Sequence, residues 1–148
     1  MIKVEKDLSD IPPSLNVKPE TLTGHARKKA KTTYTRRLEH IRAKKYINDD
    51  NHNSRYKTKD IRENLENIYN GKCAYCETKV EQYHVDHYRP KVTYYWLAYS
   101  WDNLIISCPA CNECKNDLFD IQGSQRASFR TRRRKLNDIN RISARYDI

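Results

Sequence analysis

Four cysteines in two equal spacings, Cys73/Cys76 and Cys108/Cys111, are the residues whose types and arrangement most directly specify a chemistry. A CxxC turn lets two thiolates converge on one ion, and two such turns supply the four sulfurs of a tetrahedral zinc site at about 2.3 Å. Four protein sulfurs leave no open position for water, so this zinc is expected to be structural and not catalytic. The rival readings, buried free cysteines of accidental spacing or a redox dithiol, fit a duplicated CxxC in a small chain poorly. Cys114, one turn beyond Cys111, reads as a spare thiol. The segment 77–107 between the pairs is longer than a simple ribbon needs. A substructure must sit there, and it contains the side-by-side Asp86 and His87.

The surrounding elements follow from periodicity. Residues 1–24 contain Pro12, Pro13 and Pro19 and little helical pattern, which predicts an extended arm available for docking on a partner. Residues 25–72 read as helical and basic: a helix over 25–47 with Leu38 and Ile41 as a thin apolar stripe, a polar loop over 49–54, and a second helix over 58–70. That second helix sets Ile61, Leu65, Ile68 and Tyr69 on one face and stops at Gly71. Strands are expected over 81–88 and 103–107, forming a hairpin, and a short helix over 112–119. The tail 120–148 reads as a basic helix carrying Arg126, Arg130, Arg132, Arg133, Arg134 and Lys135.

In an ideal strand, neighbouring residues point to opposite faces, so Asp86 and His87 can share a site only if the strand twists or ends there. Pro90 supplies an ending. His84 could serve the same side as an extra ligand or an outer partner, or simply face solvent. Tyr94, Tyr95, Trp96, Tyr99 and Trp101 read as packing, with base stacking the alternative.

The chain has 148 residues, 37% of them hydrophobic, so its core is small and benefits from a metal staple. Lys and Arg number 29 against 19 Asp and Glu, a net charge of +10 that points toward a polyanion such as nucleic acid. No apolar run is long enough for a membrane span, and MIKVEKDLSD lacks the apolar stretch of a secretory signal, so the expectation is a cytoplasmic protein without a membrane partner.

The run CAYC, VDHYRPK at 85–91, WDNL at 101–104 and CPACNECKN at 108–116 resembles the HNH (ββα-metal) nucleases of the zinc-knuckle subtype. Their pattern is CxxC, DH with a nearby Pro, NL, then CxxC followed by His or Asn and a Lys. The resemblance spans 73–119. It implies an α+β fold: a small ββα-metal (HNH) core stapled by a four-cysteine structural zinc, with flanking helices and the extended N-terminal arm. It further implies that His87 is the general base, that Asp86 and Asn112 are ligands of a catalytic divalent cation, and that Asn103 bonds the loop backbone and so holds His87. Asn112 stands where the commonest form has His, and an all-oxygen set shifts the preferred ion toward Mg²⁺ or Mn²⁺. Arg89 and Lys115 are the expected phosphate contacts. Hydrolysing a phosphodiester needs an activated nucleophile and relief of charge at phosphorus, which a base, a metal and a cation together supply.

MIKVEKDLSDIPPSL, GKCAYCE, WLAYSWDNLIISCPACNECKN and Phe119 add a longer likeness, to the HNH proteins of Septu-type and retron-associated antiphage systems, there called PtuB. It implies a defence nuclease working with an ATPase partner of the PtuA kind, acting on DNA. An RNA or tRNA endonuclease, or a non-catalytic zinc-stabilised nucleic-acid-binding module, are the alternatives.

Overall fold

The computed structural model describes residues 2, 4–7, 9–115 and 138–141. Apolar spacing builds the flanking helices first. Helix α1, Gly24–Ala43, buries Ala30, Thr33, Arg37, His40 and Ile41 and leaves Lys28, Lys29 and Lys31 exposed. The guanidinium of Arg37 lies inside the protein, donating to the Tyr99 carbonyl at 2.7 Å, and burial lowers its pKa to about 10. Residues 49–54, expected as a loop, contain a short helix α2, Asp50–Asn53. Asp49 caps it by accepting from the His52 N–H at 2.9 Å. The buried His52 ring is gripped by Asp49 at Nδ1 and Glu39 at Nε2, each at 2.6 Å. The two carboxylates thus fix the orientation of the ring at both of its nitrogens.

Helix α3, Lys59–Tyr69, buries Ile61, Leu65 and Tyr69 at four-residue intervals. It ends in a left-handed Asn70 (φ 52°), with the Gly71 N–H returned to the Glu66 carbonyl at 2.9 Å, the bonding of a Schellman cap.

Strands β1, His84–His87, and β2, Leu104–Ser107, pair antiparallel with Asp86 opposite Ile105 and His87 opposite Leu104. Every residue of β2 is buried. Helix α4, Pro109–Lys115, follows at once, completing strand, strand, helix. The fold is α+β with a ββα unit. Among the described residues no helix is long and apolar enough to cross a membrane.

The core is shared between this unit and its flanks. Ile61, Leu65 and Tyr69 of α3 meet Trp101, Leu104 and Ile106, and Leu15 of the arm joins the same cluster with no exposed surface. A second cluster joins Ile41 to Trp96, Leu97 and Ile139. The arm, expected to project toward a partner, is therefore packed on its own chain. Its Ile2 N–H bonds the Ala74 carbonyl at 2.8 Å, and Ser14 bonds Asp60 through backbone and hydroxyl at 2.9 and 2.8 Å. Prolines removed the helical periodicity that would have announced this packing. Truncating Leu15 to Ala would cost about 2–5 kcal/mol. The tail segment 138–141 also docks: Asn140 donates to the Leu15 carbonyl at 2.9 Å and accepts from the Trp101 N–H at 3.1 Å. The rest of the tail expected as a basic helix, with the end of the helix expected over 112–119, lies outside the described residues.

Candidate active site and zinc centre

The sulfurs of Cys73, Cys76, Cys108 and Cys111 all lie within 4.8 Å of one another, with Cys76 and Cys108 at 3.8 Å. Four sulfurs at about 2.3 Å from a common centre stand about 3.8 Å apart in a regular tetrahedron, so the cluster is spaced for zinc. The first knuckle closes through Cys73 N–H to Thr78 O at 2.9 Å and Glu77 N–H to Cys73 O at 3.0 Å, with Glu77 in a left-handed turn (φ 64°). The second closes at the start of α4, where Cys111 N–H reaches the Cys108 sulfur at 3.4 Å. Thr78, donating from hydroxyl and backbone, pulls the Cys76 thiol down to about 6. The hydrogen bond to Cys108, then burial and the other sulfurs, hold Cys111 up to about 12. Crowded thiols resist losing their protons one after another, and a bound dication removes that resistance.

His87, at the end of β1, is buried, 4% exposed. Its Nε2 lies 2.9 Å from the Ala98 carbonyl. A carbonyl only accepts, so Nε2 carries the hydrogen and Nδ1 is left as the basic nitrogen. Tyr56 packs edge-on against the ring, centroids 4.4 Å apart. Burial first, then the charge of Lys91, lowers this histidine to about 3, so the ring is neutral near pH 7. The loop that carries the Ala98 carbonyl is bonded at its neighbour Leu97 by Asn103, which is fully buried. Asn103 Oδ1 accepts from the Arg89 N–H at 2.8 Å, and Nδ2 donates to the carbonyls of Arg89 and Leu97, both at 3.1 Å.

Asp86 precedes the strand end, and its Oδ1 accepts from the His87 N–H at 2.8 Å. Its Oδ2 takes the Tyr75 hydroxyl at 3.1 Å and faces the Lys115 ammonium at 3.5 Å. Both Asp86 and His87 line one cleft of about 280 Å³, so the ending of β1 does bring strand neighbours into one site. His84, Val85 and Asn112 complete that wall. The two cations expected at phosphate, Lys115 and Arg89, are not among the residues lining the cleft. Lys115 is engaged by Asp86 and by the His87 carbonyl. The Arg89 guanidinium lies over the rings of Tyr94 and Tyr88, at 5.5 and 5.9 Å. Tyr56, Lys57, Arg62, Tyr83 and Lys91 line the same cleft, residues to which the sequence motifs assign no role. Tyr94, Trp96, Tyr99 and Trp101 are buried, as packing requires, and Tyr95 is half-buried.

With two knuckles enclosing a hairpin and a helix, comparison with known proteins is decisive. Residues 73–118 match the HNH endonuclease family. This segment is an HNH endonuclease domain. The chain is also similar to two proteins named Septu protein PtuB. One, from Bacillus mycoides (strain KBAB4), is 39% identical over 84 residues, covering 45% of this chain and 28% of that protein. The other, from Bacillus thuringiensis, is 43% identical over 47 residues, covering 29% of this chain and 18% of that protein. The matched part thus spans less than a third of either relative. No solved structure gives a significant match. In the HNH domain the sequence motifs and the observed ββα unit coincide: the first knuckle precedes β1, Asp86 and His87 end it, and Asn112 lies on α4.

Proposed function

We propose that this chain is a metal-dependent endonuclease that hydrolyses phosphodiester bonds of nucleic acid, DNA foremost, with His87 as general base. The observation that carries the reading is the Nε2–H to Ala98 carbonyl bond of a buried, neutral His87 at the cleft. That bond leaves Nδ1 to take the proton of an attacking water. Burial and the nearby lysines depress the ring, and an anionic substrate in the cleft would offset the lysines and raise its basicity toward the working pH.

Asp86 and Asn112 supply oxygens on the same wall as His87 and would hold the catalytic cation, Mg²⁺ or Mn²⁺ by their hardness. Two protein ligands suit an ion that keeps several waters. When bound, the ion relieves charge on the phosphoryl and leaving oxygens. Asn103 keeps the loop carbonyls in place and Tyr75 and Lys115 hold the Asp86 carboxylate. The four cysteines bind structural zinc.

The likeness to Septu proteins named PtuB supports a place in antiphage defence, working beside an ATPase partner of the PtuA kind. The net charge of +10 supports a nucleic-acid substrate. The test is cleavage of plasmid, single-stranded DNA and total RNA with and without Mg²⁺ or Mn²⁺, with zinc content matched between wild type and His87→Ala. Metal-dependent cleavage that disappears in His87→Ala is expected, with DNA cut in preference to RNA. Equal activity of the two proteins would sink the assignment of the base.

A further inference from the structure

We infer that Lys57, Arg62 and Lys91 are the phosphate-binding residues of the cleft, so that substrate affinity rests largely on cations of which two, Lys57 and Arg62, come from outside the HNH domain. The inference builds on the reading of this cleft as a nuclease site. Position is the first argument. The three cations line the same cleft as Asp86, His87 and Asn112. Lys57 and Arg62 come from the segment that opens α3, before the first cysteine, and Lys91 from the loop after β1.

The second argument is how their charges are held. Lys57 lies over the Tyr56 ring at 5.3 Å, Lys91 over Tyr46 and Tyr56 at 5.3 and 5.9 Å, and Arg62 over Tyr83 at 5.6 Å. For Lys57 and Arg62 an aromatic face fixes the position of the cation without cancelling its charge, as a carboxylate would. Lys115 shows the contrast, since Asp86 already answers its charge. Tyr56 also packs edge-on against His87, which puts Lys57 and Lys91 in register with the base. Both lysines act electrostatically on that ring. A polyanion entering the cleft would thus meet the base and the three cations together.

A separate basic patch on α1, with Lys28, Lys31 and Arg36, provides the control. Arg36 is paired with Glu39 at 3.1 Å, and the patch has no catalytic neighbours among its lining residues.

The experiment measures binding of a labelled duplex DNA oligonucleotide across a salt series by zinc-loaded His87→Ala protein, so that affinity is read without cleavage. Lys57→Gln with Arg62→Gln should make the slope of log K against log salt less negative by about 1.8, and binding about 30-fold weaker at about 0.15 M salt. Both side chains are exposed, so the variants should match their parent in melting temperature and zinc content. Lys28→Gln with Lys31→Gln should leave the slope where it was. In the cleavage-competent background, the Lys57/Arg62 pair should raise KM strongly while kcat stays within about twofold. An unchanged slope, or an equal loss from the α1 pair, overturns the inference even if wild type cleaves normally. If wild type cleaves nothing yet the slope falls as stated, the binding residues stand and the nuclease reading fails.

Discussion

Tyr75, between the two cysteines of the first knuckle, donates its hydroxyl to Asp86 Oδ2 across 3.1 Å, joining the four-cysteine cluster to the carboxylate of the cleft. Burial and the Asp86 charge push this phenol above its ordinary range, so it remains a donor at any working pH. Hydrogen-bond partners of a metal ligand are commonly worth about 10–100-fold in metal affinity. Tyr75→Phe should therefore raise the Mg²⁺ or Mn²⁺ needed for half-maximal cleavage about tenfold, with bound zinc unchanged. A metal titration alongside a zinc assay checks this, and an unchanged half-saturation point would reduce Tyr75 to packing.

Removing the structural metal should unfold the domain instead of merely slowing it. The knuckles are wired into the core: Cys73 is fully buried, and the Ala74 N–H bonds the Ile106 carbonyl at 2.9 Å. Apparent zinc binding of about 10–16 kcal/mol is as large as the whole stability of an ordinary domain, about 5–15 kcal/mol. Chelation, or Cys108→Ser, should abolish the cooperative thermal transition seen by circular dichroism, and added zinc should restore it in the chelated wild type. A sharp transition surviving at zero zinc would contradict the structural assignment.

How much of this was legible depended on whether the physics was local. Cysteine spacing, the apolar face of Ile61, Leu65 and Tyr69, and the β-branched run of β2 each act over a few residues, and those elements appear where the pattern puts them. Arg89 and Lys115 stand inside the runs VDHYRPK and CPACNECKN, but nearness in sequence does not fix direction. One lies over tyrosine rings and the other is held by Asp86. Lys57 and Arg62 share a cleft with His87 because α3 packs on β2, a contact between segments with no shared periodicity. The burial of Leu15 and the charged grip on His52 are tertiary in the same sense.

Acid should destabilise the fold through His40. This buried ring accepts from the Ile47 N–H at Nδ1, 3.1 Å, and meets the Tyr99 hydroxyl at Nε2, 2.9 Å. Burial foremost, and then the charge on His52, lowers its pKa to about 4. The unfolded chain, titrating near 6.5, binds the proton first, so stability is full above about pH 6.5 and is lost as pH falls toward 4. The loss amounts to about 3 kcal/mol. Urea denaturation between about pH 7.5 and 4 should show wild type losing about that much more than His40→Gln, since every other residue is the same in the two proteins. Parallel curves would mean that His40 does not titrate in this window.

Asn103 tests whether the cleft is positioned by hydrogen bonds or by packing alone. Its amide satisfies the Arg89 N–H and the Arg89 and Leu97 carbonyls, and its own carbonyl accepts from the Tyr88 N–H at 2.9 Å. The next residue after Leu97 is Ala98, whose carbonyl holds His87. Asn103→Ala leaves buried backbone groups unpaired at about 1–3 kcal/mol each and loosens the loop that carries that carbonyl. A misplacement of about 1 Å at a reacting group can cost about 10²-fold, so kcat should fall by about that factor while KM for nucleic acid changes little. Asn103→Asp keeps the acceptor for Arg89 N–H but turns a carboxylate toward two carbonyls, so it should rescue neither stability nor rate. If Asn103→Ala is less stable yet keeps its kcat, then Trp96, Leu97 and Ala98 hold the loop by packing, and Asn103 supports the fold without positioning the base.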